Sequence, residues 1–131
     1  MGVEGGKLLA DAIKAHPNYT QIAMNMFDGK ADVDMSKEGL DAGDGHIIAA
    51  ALQANHTVDS IVIGSEDKPA TIPLKELREN SIDALDYQGK ELLAEGGIVL
   101  ASALKGNSSV TKVGQRVFDV FMFVLFLVTF F

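Results

Sequence analysis

Gly97-Ile-Val-Leu-Ala-Ser-Ala-Leu104, followed three residues on by Asn107, decides the reading of this chain because its frame occurs three times. Ungapped, it appears again as Gly6-Lys-Leu-Leu-Ala-Asp-Ala-Ile13 and as Gly45-His-Ile-Ile-Ala-Ala-Ala-Leu52. Counted from each glycine, apolar residues stand at the third, fourth and seventh positions: Leu9, Ala10 and Ile13; Ile48, Ala49 and Leu52; Leu100, Ala101 and Leu104. That spacing marks one face of a helix, so three helices are predicted. Alanine at the fourth and sixth positions predicts close approach to a neighbouring element. Glu4, Asp44 and Glu95 precede the glycines, where the positive end of a helix dipole favours a carboxylate.

The similarity runs on past the helices. Tyr19, Ile22 and Met24 follow the first copy, Val58, Ile61 and Ile63 the second, and Val110 and Val113 the third, where Gln115 breaks the pattern. This alternation predicts a short strand with one buried face after each helix. A longer register joins the pieces: Val33, Met35, Leu40, Gly45, Leu52, Val58 and Ile61 reappear 52 residues later as Leu85, Tyr87, Leu92, Gly97, Leu104, Val110 and Val113. Strand to strand is 28 residues within each copy, inside the roughly 20–29 of leucine-rich repeats.

The full frame, Gly-x-x-x-Leu-Ala-x-Ala-Leu-x-x-Asn and then apolar-x-x-apolar-x-apolar, resembles the ribonuclease-inhibitor-like class of leucine-rich repeats. Leu100 to Leu104 with Asn107 matches best, and Ala49 to Asn55 next. The resemblance covers residues 2–113. It implies an α/β fold, a short leucine-rich-repeat solenoid with parallel strands on its concave side and helices outside. It also implies a protein-binding role without shared catalytic residues. Departures from the frame predict irregular insertions. Only 24 residues separate Ile61 from Leu85, and Pro69 and Pro73 leave room for one short helix, from Leu74 to Glu79. Only 11 separate Ile22 from Val33, so Asp28-Gly29 reads as a tight turn in a hairpin or irregular loop. Gly2 to Gly6 matches Leu93 to Gly97 with no strand before it, as expected of a piece of a larger repeat protein.

Composition narrows the function. The 131 residues carry a formal net charge of −7 and no cysteine. Acidic charge disfavours nucleic acid, and the missing cysteine removes disulfides, thiolate metal sites and a cysteine nucleophile. With no signal peptide in view, a cytoplasmic setting is expected. Residues 1–116 form the repeat-like domain and residues 117–131 an apolar tail holding six of the seven phenylalanines. Beginning at Val117 and ending at Phe131, that tail is short of the about 20 residues a spanning helix needs. Membrane association, self-association and a buried cap stay open for it.

No candidate for chemistry meets its own requirement. His16, His46 and His56 lack the helical spacing of a zinc pair and read as loop histidines. Asp28, Asp32, Asp34, Asp41 and Asp44 read as a solvated acidic loop, because Lys30 occupies a position a calcium loop needs for a ligand. Gly43-Asp-Gly45 lacks the third glycine of a dinucleotide fingerprint, and Gly5-Gly6-Lys7 lacks the spacing of a phosphate loop. Both read as repeat turns. Asn18, Asn55 and Asn107 match the glycosylation pattern, but Asn55 and Asn107 hold equivalent repeat positions that suit backbone bonding after a helix.

The expectation is therefore a non-catalytic scaffold without cofactor or metal, binding a basic protein segment through its strand face. Residues between the buried strand positions point outward. They are Gln21, Ala23, Asp32, Asp34, Ser60, Val62, Ala84, Asp86 and Lys112.

Overall fold

The computed structural model describes residues 2–114. Three 13-residue helices form where the repeated frame places them: α1 (Val3–Ala15), α3 (Ala42–Ala54) and α5 (Leu93–Lys105). Between the first two lie α2 (Tyr19–Asn25) and β1 (Asp32–Asp34). Between the second and third lie β2 (Ser60–Ile63), β3 (Ala70–Ile72), α4 (Leu74–Arg78) and β4 (Ala84–Leu85), and β5 (Lys112–Val113) follows.

The long helices lie side by side, α1 against α3 and α3 against α5. Small residues bring them together. A Cβ added to Gly6 would overlap the Cα and carbonyl oxygen of Gly43, and one on Gly45 would fall 2.9 Å from the Glu95 backbone. Gly6, Gly43 and Gly45 are helical residues used for contact, which corrects their reading as repeat turns. Alanine at the fourth frame position is buried in all three copies, Ala10, Ala49 and Ala101, whereas at the sixth only Ala51 is, Ala12 being exposed and Ala103 half-buried.

A parallel offset of 28 residues sets two strand pairs. Asp32 lies opposite Ser60 in β1–β2, and Ala84 lies opposite Lys112 in β4–β5. The expected solenoid is nevertheless not the architecture formed. The described residues make a small mixed α/β fold of five helices with two separate sheets, one of three strands and one of two. The shortened segment after Ile61 is the physical reason. With Pro69 and Pro73 in it there is no room for a full helix and a parallel return. Gly64, at φ +111°, turns the chain instead, and β3 comes back antiparallel, Ile61 opposite Ile72. That strand takes the free edge of β2, so no continuous parallel sheet runs on to β4.

A second correction concerns residues 19–25. Tyr19, Ile22 and Met24 belong to helix α2, not to a strand. The inward side of the helix is set by Tyr19, Ala23 and Phe27, four residues apart, rather than by Tyr19, Ile22 and Met24, and long-range contacts hold it there. Tyr19 Oη donates to the Ala50 carbonyl, and Ala23, wholly buried, presents its carbonyl to Asn55. Asp28 and Gly29 do form a turn with positive φ, but it joins a helix to β1 and closes no hairpin.

The core lies between the helix row and the strands. Ile61, Ile63, Ile72 and Leu100 are fully buried there, each worth about 1.5–3 kcal/mol against exposure. Helix α3 starts on a capping box: Asp41 accepts from the Asp44 N–H at 2.9 Å, and Asp44 accepts from the Asp41 N–H at 3.0 Å. These two aspartates of the acidic stretch therefore serve the helix end.

Glu95, in the first turn of α5, is only 5% exposed. Burial raises its pKa, and the nearby Asp41 and Asp44 charges push the same way against a bond from its own backbone N–H. Folded Glu95 thus keeps its proton to higher pH than the unfolded chain does. Its stabilising contribution is complete below the ordinary carboxylate range and is lost as pH rises through the raised value. Glu95→Gln should melt at a higher temperature than the parent at neutral pH and match it in acid. Melting below the parent at neutral pH would mean that the carboxylate has a stabilising partner.

Candidate surface on the strands

Period-two alternation gives β1 and β2 one face toward the core and one away from it. Val33 and Ile61 turn inward, half-buried and fully buried. Asp32 and Asp34 on β1 are exposed, and Ser60 and Val62 beside them are half-exposed. The parallel register places Asp32 opposite Ser60 and Asp34 opposite Val62, so these four candidates share one patch.

Local hydrogen bonds orient the carboxylates. Asp32 Oδ1 accepts from Ser60 Oγ at 2.7 Å. Asp34 Oδ1 accepts from Ser36 Oγ at 2.6 Å and from the Ser36 N–H at 2.9 Å. The Ser36 hydroxyl is the main cause that lowers the Asp34 pKa; its backbone N–H and Lys37 add to the effect, while slight desolvation opposes it. Asp34 therefore holds its charge to lower pH than an ordinary aspartate. In each case the second carboxylate oxygen remains for a partner.

The other candidates are divided. Ala84 and Lys112 are exposed and paired across β4–β5, and Asp86 follows directly, its Oδ1 accepting from the Gln88 N–H at 2.9 Å. They form a second patch, on the smaller sheet. Gln21 belongs to neither: it is exposed on α2 and donates to Asn25 Oδ1 at 2.9 Å. Ala23 is buried under the same helix. Both lose their expected place because residues 19–25 are helical. Thr71 was missed. It is exposed on β3 opposite Val62 and extends the first patch by one strand. Its signal is present in Ala70-Thr71-Ile72, an apolar–polar–apolar alternation held between two prolines.

No protein-family model, no curated protein and no solved structure matches the chain.

Among the described residues no group of three or more His, Asp or Glu side chains is placed to hold a metal ion. His16 and His56 are exposed and make local contacts, with the Asn18 N–H and the Gln53 carbonyl. His46 differs from the loop histidine expected, being half-buried within α3. Among the described residues no helix is long and apolar enough to cross a membrane. The tail from 117 to 131, with the membrane and self-association roles it carries, lies outside the described residues.

Proposed function

We propose that this chain is a non-catalytic protein-interaction module, and that the β1–β2 patch, with Asp86 on the smaller sheet, takes a basic protein segment. One observation carries the reading: Asp32 and Asp34 stand side by side on an exposed strand, each held by a serine hydroxyl with one oxygen left over. Ordering the carboxylates beforehand lowers the entropy that a partner must lose on binding. Opposite charge on that partner adds attraction and speeds association. Val62 and Thr71 supply less polar ground beside Asp34. Kinship with leucine-rich-repeat proteins belongs to the same proposal, on the 28-residue parallel pairs and the shared role of Asn55 and Asn107. A cytoplasmic setting is included on the cysteine-free composition.

The test is titration of a lysine-rich model peptide into the full chain and into Asp34→Lys plus Asp86→Lys. Both positions are exposed, but the variant gives up the bonds to Ser36 and Gln88, so its circular dichroism and melting are compared with the parent first. Reversal is expected to weaken binding about tenfold or more, at 1.4 kcal/mol per decade. Rising salt should erase the difference. Equal affinity for parent and variant would remove this face from consideration.

A further inference from the structure

On the opposite side of the molecule, the row of long helices carries a cleft of about 260 Å³ over α3, walled by α1 and α5. Its geometry follows from the repeated frame. The residues one and eight places after the frame glycine are Lys7 and Lys14 on α1, His46 and Gln53 on α3, and Ile98 and Lys105 on α5. All six line the cleft, and Ala10 and Ala49, four places after their glycines, line it as well. The chain as a whole is acidic, with only 11 basic residues against 18 acidic, yet three lysines and a histidine face this one hollow with Asp11 as the sole carboxylate. Among the described residues the one ion pair joins Arg78 to Asp59, so within them no carboxylate lies in ion-pair contact with Lys7, Lys14 or Lys105, although Asp11 stands one turn from the first two.

We propose that this cleft binds an acidic protein segment, a helix whose carboxylates lie about two turns apart. Spacing decides the ligand class. Lys7 and Lys14 are separated by two turns of α1, about 10 Å along its axis. Lys14 and Lys105 stand on either side of α3, two helix separations apart, each separation shortened by the contacts of Gly6 with Gly43 and of Gly45 with Glu95. A single phosphate cannot reach cations so far apart. A continuous polyanion such as nucleic acid is disfavoured by the net charge of −7. A helix with glutamates seven residues apart repeats the spacing of Lys7 and Lys14, and an alanine or leucine between them would rest on Ala49 and Ile98. Lys14 and Lys105 also offset the negative C-terminal ends of their own helices. That accounts for two of the cations but not for Lys7, which stands with His46 at the other end of the cleft.

His46 supplies an internal reporter. Burial lowers its pKa, Lys7 and Lys14 lower it further, and Asp11 opposes them. A carboxylate arriving in the cleft must push it back up. The experiment titrates a synthetic helical peptide, alanine-based with glutamates seven residues apart, into the full chain while the His46 ring signals are followed by NMR. Saturable binding with a rise in the His46 pKa is expected. Reversing two rim charges, Lys14→Glu plus Lys105→Glu, should weaken it about tenfold, two exposed pairs contributing up to about 1 kcal/mol each. Milder Lys14→Gln plus Lys105→Gln should give a smaller loss in the same direction. A glutamine version of the peptide that binds equally well would overturn the proposal. So would an unmoved His46, or peptide signals mapping to Asp34 and Asp86 instead. Saturation by inorganic phosphate alone at comparable concentration would overturn the peptide assignment.

Discussion

Gly64→Ala should unfold in urea about 1–2 M earlier than the parent, at slopes usual for a small domain. Two separate costs meet at this position. Gly64 ends β2 at φ +111°, a backbone conformation that disfavours any side chain by about 1–2 kcal/mol. A Cβ there would also overlap the Glu91 carbonyl oxygen and fall 3.1 Å from the Leu92 Cα. Both neighbours are backbone, so no flexible side chain can swing aside, and overpacking of this kind adds about 1–3 kcal/mol. The same carbonyl accepts the Ser65 N–H at 2.9 Å, so the damage falls where the first sheet is tied to the segment entering α5. Total stability of a domain this size is about 5–15 kcal/mol, of which the substitution removes a large part. Gly29→Ala and Gly89→Ala are the controls, since both have positive φ and nothing within 4 Å of the added carbon. They should lose only the conformational part. A Gly64 variant no less stable than these two would disprove the close approach.

Legibility in the sequence followed the length of the pattern. Three turns of helix gave the glycine–alanine frame enough positions to fix α1, α3 and α5, and Asn55 and Asn107 could be matched because they sit at a constant distance from it. Short segments had no such redundancy. Tyr19, Ile22 and Met24 fit no single period, and what makes α2 a helix is its packing under Ala50 and Asn55, contacts more than 30 residues away. The 28-residue pairing was readable from Val33 and Ile61, but the interruption of the sheet was not. It depends on Gly64 turning the chain and on three residues between two prolines finding the edge of β2. The strand patch was legible for Asp32, Asp34, Ser60 and Val62, where alternation suffices, and failed for Gln21 and Ala23. The basic cleft could not be seen at all from one helix. Lys7, Lys14 and Lys105 become neighbours only once three helices lie side by side, although their common place in the frame is a usable signal.

Asn55→Ala should cost about 2–4 kcal/mol, on about 1–3 kcal/mol for each buried polar group left unpaired. Asn55 ends α3 and is wholly buried. Its side chain joins three parts of the chain: Nδ2 donates to the Ala23 carbonyl at 3.1 Å, and Oδ1 accepts from the Thr57 N–H at 2.8 Å, the Thr57 hydroxyl at 2.7 Å and the Val58 N–H at 3.3 Å. Alanine removes all four bonds and leaves the Val58 N–H and the Ala23 carbonyl without a substitute in surroundings that water does not reach. Asn107 makes the corresponding contacts after α5, donating to the Leu77 carbonyl at 2.9 Å and accepting from the N–H groups of Ser109 and Val110. It is only half-buried, so water can replace part of what Asn107→Ala deletes, and its loss should be less than half as large. Urea denaturation of the two variants measures the difference, and hydrogen exchange at Val58 should accelerate in the first alone. Asn55→Asp separates the two sides of the network. It keeps the acceptor for Thr57 and Val58 but gives up the bond to Ala23 and places a carboxylate where it is fully desolvated. Full burial and the facing Ala23 carbonyl raise the folded pKa of that carboxyl against the three retained donors, so with burial dominant the variant should be least stable at neutral pH and recover as the solution is acidified. Equal losses at Asn55 and Asn107, or an Asn55→Asp variant indifferent to pH, would show that burial does not set the strength of this network.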